Sequence, residues 1–274
     1  MRSRLALRTV ALGYLALLLI LPIGLIFFRT FEDGLGPVWD ALTNPDTIHA
    51  LWLTILITLI AVPANTVFGV AAALMLVRQR FPGRSVLNAV IDLPFALSPI
   101  VVGLALILVY GRTGWLGGWL NANGIQVIFA LPGMVLATIF VSLPFVVREV
   151  VPVLREIGTE QDEAAWTLGA SPFATFRRVT LPAIRWGITY GVVLTTARAL
   201  GEFGAVSVVS GKLAGRTETL TLRVENEFQR FDLVGAYTAS VVLAILALVV
   251  VLAMNLFRRE TDGDRGAARQ QAVR

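Results

Sequence analysis

The stretch EAAWTLGASPFATFRRVTLP, residues 163–182, is the polar, helix-prone part of a chain that is otherwise strongly apolar. In the whole chain, 56% of the 274 residues are hydrophobic, 15% are charged, and the mean hydropathy is +0.76. Soluble domains carry about 25% charged residues. The apolar excess therefore indicates a protein that lies in a lipid bilayer, with residues 163–182 in water between two membrane spans.

Six apolar segments are long enough to cross a membrane, since a bilayer core of about 30 Å needs about 20 helical residues. Backbone groups in lipid must pair within their own segment, which makes helix the default. The first segment is predicted to be a retained membrane anchor, because its apolar run is longer than the apolar region of a signal peptide, which has about 7–15 residues. The fold class is predicted to be an all-α integral membrane protein with six transmembrane helices. The predicted spans are Val10–Phe28, Ala50–Val77, Leu93–Tyr110, Ile125–Val147, Trp186–Gly211 and Leu233–Phe257.

The distribution of Lys and Arg predicts how these spans are oriented. With the N-terminus in the cytoplasm, the inside segments contain sixteen of the 23 Lys and Arg residues and the outside segments six, while Arg198 lies within a span. Positive charge concentrates on the cytoplasmic side, so both termini are predicted to be cytoplasmic. We predict a cytoplasmic N-terminus over 1–9, a six-helix transmembrane domain over 10–257 that includes a cytoplasmic loop 148–185, and a polar tail over 258–274 whose composition is typical of disorder.

The cytoplasmic loop carries the signals of two short helices. Thr159 and Asp162 form an acidic variant of a capping box, and Gly169 is placed to end the first helix. Ser171 followed by proline is a start signal for a second helix, which Leu181-Pro182 is expected to break before the next span. The pattern predicts a helix–turn–helix knob with a face of small residues that another surface can approach closely. Taken alone, the capping pattern also fits an ordinary connecting loop.

The spacing of this loop resembles that of a known family. Glu163-Ala164-Ala165 is followed after three residues by Gly169, then after nine residues by Val179, and after one more by Leu181-Pro182. This is similar to the loop by which membrane subunits of type I ABC importers, the MetI-like superfamily, dock onto a separate ATPase. Val179 departs from the isoleucine that is more usual there, a loss of one methylene.

A second run, ARALGEFGAVSVVSG at 197–211, resembles the sulfate and molybdate branch of that superfamily. The whole chain is most similar to W-type permeases of sulfate/thiosulfate importers. The resemblance implies a heterodimer with a T-type permease, two copies of an ABC ATPase, an extracytoplasmic sulfate-binding protein, and a place in the bacterial inner membrane. The residues it implies for coupling to the ATPase are Glu163, Ala164, Ala165, Gly169, Ala170, Phe173, Leu181 and Pro182.

Residue types that carry chemistry are scarce. The chain has no cysteine and one histidine, His49, so thiolate chemistry and metal binding are not expected. Its only lysine, Lys212, is followed by Leu213, so the sequence has no P-loop pattern. We therefore expect no catalytic residue, no metal ligand and no cofactor on this chain, with ATP and Mg bound by the partner ATPase.

Two charged residues lie inside the fifth predicted span. Arg198 and Glu202 are four residues apart, so they share one helix face, and ionisable groups in a membrane point to function. Arg198 either meets the passing anion or forms a structural pair with Glu202. Asp92 is expected to cap the third span. The outside basic residues are expected to form a solvated face that outside carboxylates balance: Lys212, Arg216, Arg223 and Arg230 with Glu218, Glu225, Glu227 and Asp232.

Three other functions compete with sulfate transport. A molybdate or tungstate importer would use the same machine, because these oxyanions share charge and shape with sulfate. A polytopic membrane enzyme would need convergent nucleophiles, bases or metal ligands, which the sequence does not offer. A passive anion channel would sustain uptake without the ATPase.

Overall fold

A computed structural model describes residues 10–250 and residue 252, and this part of the chain contains helices and loops without strands. The predicted segments 1–9 and 258–274 lie outside the described residues. A π-helical turn spans Phe176–Thr180, between the short helix Pro172–Thr175 and the long helix that begins at Leu181. The helices are α1 (Val10–Phe31), α2 (Leu35–Thr43), α3 (Pro45–Arg78), α4 (Arg84–Ala96), α5 (Pro99–Tyr110), α6 (Gly117–Ala122), α7 (Leu131–Ile157), α8 (Glu160–Thr167), α9 (Pro172–Thr175), α10 (Leu181–Leu200), α11 (Gly204–Val209), α12 (Leu220–Gln229) and α13 (Leu233–Val250).

Four helices of the described part are long and apolar enough to cross a membrane: α1, α3, α7 and α13. A fifth span is formed if α4 and α5 are taken together, but these two helices meet at an angle of 115°. The prediction of one helix over Leu93–Tyr110 is therefore wrong. Leu97 and Ser98 adopt extended backbone angles between the two helices. Ser98 precedes Pro99, and the proline ring disfavours helical angles in the residue before it.

The predicted span Trp186–Gly211 is also interrupted. Helix α10 begins earlier, at Leu181, and ends at Leu200, and α11 starts only at Gly204. Where the helix starts again, Gly204 packs closely against α5, because a Cβ on Gly204 would lie 2.8 Å from Pro99 Cβ. The fourth predicted span also differs, since α7 begins at Leu131 rather than at residue 125. In the described residues, two of the six predicted spans are thus interrupted.

Helix α7 lies at the centre of the bundle, between α3 and α10. Its Val146 is fully buried and faces two glycines. A Cβ on Gly69 of α3 would lie 2.7 Å from Val146 Cβ, and a Cβ on Gly191 of α10 would lie 2.7 Å from Val146 Cα. Asn65 of α3 donates hydrogen bonds to Ser142 Oγ (2.8 Å) and to a backbone carbonyl of α7. Small residues allow membrane helices to approach closely, and hydrogen bonds from polar side chains hold the helices together.

Replacing Gly191 with alanine tests this close contact. The added methyl group would collide with the backbone of α7, and overpacking of this kind costs about 1–3 kcal/mol. We expect the Gly191→Ala chain to unfold at a clearly lower temperature in detergent. Gly24→Ala in α1 is the matched control, because the space around Gly24 is open. Equal unfolding temperatures for the two variants would contradict the packing described here.

Helix α3 connects the two ends of the bundle. Its 34 residues extend over about 50 Å, more than the bilayer core. At its first end, His49 Nε2 lies 3.3 Å from the Arg216 carbonyl oxygen, in a segment predicted to be outside. At its last residue, Arg78 contacts Asp162 of the predicted cytoplasmic loop. The segments that the charge distribution assigns to opposite sides are therefore separated by the length of α3.

Candidate coupling loop and intramembrane charge pair

We name residues 159–182 the coupling knob. Its first half is helix α8, which ends at a glycine. Gly169 has φ +83°, a left-handed conformation that side chains disfavour. Its N–H donates to the Trp166 carbonyl (2.9 Å), and the Ala170 N–H donates to the Ala165 carbonyl (3.0 Å). These two bonds are the pattern of a Schellman motif. The predicted helix end at Gly169 is confirmed.

The second half of the knob starts as predicted but does not end as predicted. Ser171 Oγ accepts a hydrogen bond from the Ala174 N–H (3.3 Å), and Pro172 occupies the first turn of α9. The expected break at Leu181-Pro182 is wrong. The Leu181 N–H donates to the Phe176 carbonyl in a π-helical turn, and the chain continues into α10. Pro182 lies directly after this π-helical turn, at the second position of α10. The knob is therefore continuous with α10.

Asp162 anchors the knob to α3, a role that the sequence analysis missed. It does not form the expected capping box, since Thr159 Oγ1 instead donates to Glu163 Oε1 (2.7 Å). Asp162 is buried, accepts a hydrogen bond from Thr180 Oγ1 (2.9 Å), and lies 2.9 Å from Arg78 Nη2. A carboxylate in the loop and an arginine at the end of a span on the same predicted side could have suggested the pair. The sequence does not show that Asp162 faces inward.

Three large apolar side chains form the outer surface of the knob, which we name the knob face. Trp166 is 54% exposed, Leu168 88% and Phe173 71%. Of the other residues expected to couple to an ATPase, Glu163, Ala164, Gly169 and Pro182 are exposed, while Ala165, Ala170 and Leu181 are half-buried. Exposed apolar groups beside small residues are typical of a protein interface.

The structure brings the intramembrane pair together. Arg198 Nη2 lies 2.7 Å from Glu202 Oε2. Glu202 is 3% exposed, its Oε1 accepts the Ala205 N–H (2.8 Å) at the start of α11, and its carbonyl accepts Thr221 Oγ1 (2.8 Å). Glu202 thus closes the break between α10 and α11, whereas the side chain of Arg198 keeps 29% of its surface exposed.

Comparison with known proteins identifies the family. A family model described as the inner membrane component of binding-protein-dependent transport systems matches residues 65–262. The chain belongs to this family. It is 51% identical over 92% of its length to the sulfate transport system permease protein CysW of Synechocystis, of which it covers 91%. It is 49% identical over 93% of its length to CysW of Escherichia coli, covering 88% of that protein.

Solved structures support the same permease fold. A chain of a bacterial ABC transporter involved in the import of the acidic polysaccharide alginate superposes with a TM-score of 0.79 at 19% identity, covering 94% of this chain and 96% of that one. A second alginate transporter structure, in complex with a periplasmic protein, gives a TM-score of 0.77 at 18% identity, with 95% and 96% covered. At these identities the likeness describes the fold alone.

Two further charge groups of this permease differ from the sequence-based expectations. Asp92 does not cap a helix, because α4 already begins at Arg84 after a left-handed Gly83. Asp92 instead pairs with Arg148 of α7, whose Nε donates to Asp92 Oδ1 (2.7 Å). The pair joins two helices near the predicted cytoplasmic side.

The outside charges of the permease do not all form a solvated face. Arg223, Glu218 and Glu227 are buried, and Arg223 Nη2 lies 2.6 Å from Glu227 Oε1. The reason is that residues 210–220 fold over α3, with the Leu220 N–H bonded to Thr54 Oγ1 (2.8 Å). The expectation of a solvated pair holds for Lys212 and Glu225, which are 2.7 Å apart near the surface.

Proposed function

We infer that this chain is the membrane permease subunit of an ATP-driven sulfate importer of the bacterial inner membrane. The observation that carries this conclusion is its 49–51% identity, over more than nine tenths of the chain, to proteins named as sulfate transport permeases. The chain is a transport subunit, as these relatives are, and not an enzyme. Thiosulfate, a dianion of similar shape, is proposed as a second substrate.

The partners follow from the same relatives. The chain is also 38% identical, over 90% of its length, to the permease CysT of Salmonella typhimurium. Two related permease types support a heterodimer in which this chain and a T-type subunit enclose the path. We further propose two ABC ATPase copies, which bind ATP and Mg²⁺, and an extracytoplasmic sulfate-binding protein. The periplasmic protein bound to one alginate transporter is consistent with the last partner.

The coupling knob is proposed as the site where the ATPase acts. Its exposed apolar face would bury Trp166, Leu168 and Phe173 in a groove of the ATPase, and the small residues Ala164, Gly169 and Ala170 would allow close approach. A push on the knob would move α10 directly, because the helix is continuous, and α3 through the Arg78–Asp162 pair. Both helices pack on α7, so the displacement would reach the centre of the bundle.

The pair of Arg198 and Glu202 is proposed as a structural clamp at the α10–α11 break. The almost fully buried carboxylate of Glu202 binds Arg198 and the Ala205 N–H, so it fixes the α10–α11 break and holds Arg198 in one position. The exposed part of Arg198 remains available to attract sulfate.

A double-mutant cycle separates these two roles. Glu202→Ala removes the partner of Arg198 and the acceptor of the Ala205 N–H, and breaking such a buried pair costs about 3–5 kcal/mol. We expect Glu202→Ala to lower the unfolding temperature more than Arg198→Ala, and the double variant to be no worse than Glu202→Ala. If Arg198→Ala stops sulfate uptake without loss of stability, Arg198 acts on the anion instead.

Labelled-sulfate uptake tests the proposed substrate. Cells with the gene deleted and then restored are assayed with unlabelled thiosulfate and molybdate as competitors. We expect uptake to vanish on deletion, to return on restoration, and to be competed mainly by thiosulfate. Uptake that does not change on deletion would remove sulfate as the substrate and make molybdate the leading candidate. Stronger competition by molybdate than by thiosulfate would keep sulfate as a substrate and make molybdate, rather than thiosulfate, the second one.

A further inference from the structure

A cavity of about 610 Å³ opens between α4 and α7 at the level of the last turn of α3. Its lining is strongly basic for a membrane protein. The residues that line it are Leu76, Arg84, Ser85, Asn88, Arg148 and Arg155. The cavity is distinct from the coupling knob and from the Arg198–Glu202 pair, and the transport function described above assigns it no role.

The charges around this cavity do not cancel. Arg148 is neutralised by Asp92 and also donates to Asn88 Oδ1 (3.2 Å). Among the described residues, neither Arg84 nor Arg155 has a carboxylate within ion-pair distance. Two guanidinium groups therefore face the same space without a counter-charge, and Asp92 fixes the third in place.

The helix geometry adds to this positive field. Arg84 occupies the first position of the 13-residue helix α4, where the helix dipole is positive. A cation at this end of a helix is unfavourable unless an anion lies beside it. Ser85, the next residue, also lines the cavity and adds a hydroxyl donor. Arginine is suited to binding an oxyanion, because its planar fork of N–H donors matches the oxygens of a phosphate or sulfate group.

The position of the cavity indicates where such an oxyanion comes from. It lies on the predicted cytoplasmic side, at the end of the apolar part of α3. On the opposite face of α4, Val86, Val90 and Leu93 are exposed, as they are when a helix borders lipid. Basic pockets between transmembrane helices on this side are typical of sites for anionic headgroups.

We propose that this cavity binds a tetrahedral oxyanion, namely the phosphate of an anionic phospholipid from the cytoplasmic leaflet. Arg84 and Arg155 contact the phosphate oxygens. Arg148 lines the cavity beside them, and its ion pair with Asp92 joins α7 to α4. A free sulfate or phosphate ion has the same chemistry and is the other source of such a group. A bound lipid here connects α4 to α7, next to the end of α3 that holds the knob.

Native mass spectrometry of the delipidated full transporter in detergent tests this site. Phosphatidylglycerol and phosphatidylcholine are titrated against the wild type, the variant Arg84→Gln/Arg155→Gln, and the control Arg112→Gln/Arg216→Gln. The control removes the same charge from exposed residues at the opposite end. Arg148 is left intact because it is needed for packing. We expect phosphatidylglycerol to bind the cavity variant about 30-fold more weakly than the wild type, since each arginine contributes about 1 kcal/mol to binding an anionic lipid.

Equilibrium dialysis with labelled sulfate and phosphate forms the second arm. If the arginine substitutions weaken binding of free sulfate or phosphate but not of phosphatidylglycerol, the cavity is an oxyanion site whose ligand is a soluble ion. The proposal is overturned if neither lipid nor free ion distinguishes the cavity variant from the wild type. It is also overturned if the control variant loses as much lipid binding. Because the readout is binding, failure here leaves the transport function untouched.

Discussion

Replacing Gly169 with valine is expected to reduce sulfate uptake at least about tenfold while leaving the chain in the membrane. Gly169 has φ +83°, and a β-branched residue held in that conformation costs about 1–3 kcal/mol. The Schellman bonds would be lost, α8 and α9 would no longer meet at a fixed angle, and the knob face would lose its shape. Uptake of labelled sulfate in cells, corrected for the amount of chain in the membrane, measures the effect.

Gly34→Val is the matched control for this prediction. Gly34 also has positive φ, at +91°, and lies in open space before α2, far from the knob in sequence. With ψ −175°, Gly34 lies in a region that only glycine adopts readily, so valine there introduces backbone strain without touching the proposed ATPase site. Normal uptake by Gly169→Val, or an equal loss in Gly34→Val, would argue against a coupling role for the knob.

Asp162→Ala is the second substitution with a large expected effect. It leaves the half-buried Arg78 without its partner, and breaking a largely buried pair of this kind costs up to about 3–5 kcal/mol. We expect a marked drop in unfolding temperature together with loss of uptake. Thr180→Val removes only one hydrogen bond to Asp162 and is expected to cost about 1 kcal/mol.

A hydrophobic replacement of the pair separates stability from coupling. Apolar residues of similar volume often restore the stability lost when a buried ion pair is broken. The double variant Arg78→Met/Asp162→Leu should therefore unfold at a higher temperature than Asp162→Ala. A double variant that is less stable than Asp162→Ala would show that the pair does not connect α3 and the knob in the way described.

The sequence predicted the parts of this fold that depend on local chemistry. The spans α1, α3, α7 and α13 follow from apolar length, and the end of α8 follows from a glycine that alone adopts left-handed angles readily. The 115° bend before Pro99 could have been inferred from the proline, but only packing decides whether such a residue bends or ends a helix. The continuity of the knob with α10 depends on a π-helical turn, which has no sequence signature.

Ion pairs between residues far apart in the chain could not be predicted from the sequence. The i, i+4 relation identified Arg198 with Glu202, because both lie near one helix face. Asp162 with Arg78 and Asp92 with Arg148 join residues 84 and 56 positions apart, and only the packed bundle brings them together. The buried outside cluster around Arg223 was assigned to solvent for the same reason. Side-chain burial, rather than residue type, separates an anchor from a surface charge.

Sulfate accumulation in proteoliposomes that contain the whole transporter tests the central claim most directly. Wild-type transporter is compared with Leu168→Asp, which alters the most exposed residue of the knob face and leaves the core intact. The wild type is predicted to accumulate labelled sulfate against its gradient only when Mg-ATP reaches the ATPase, and the variant is predicted to lose this accumulation. Accumulation by the wild type without ATP, or at an unchanged rate by Leu168→Asp, would contradict transport driven through this loop.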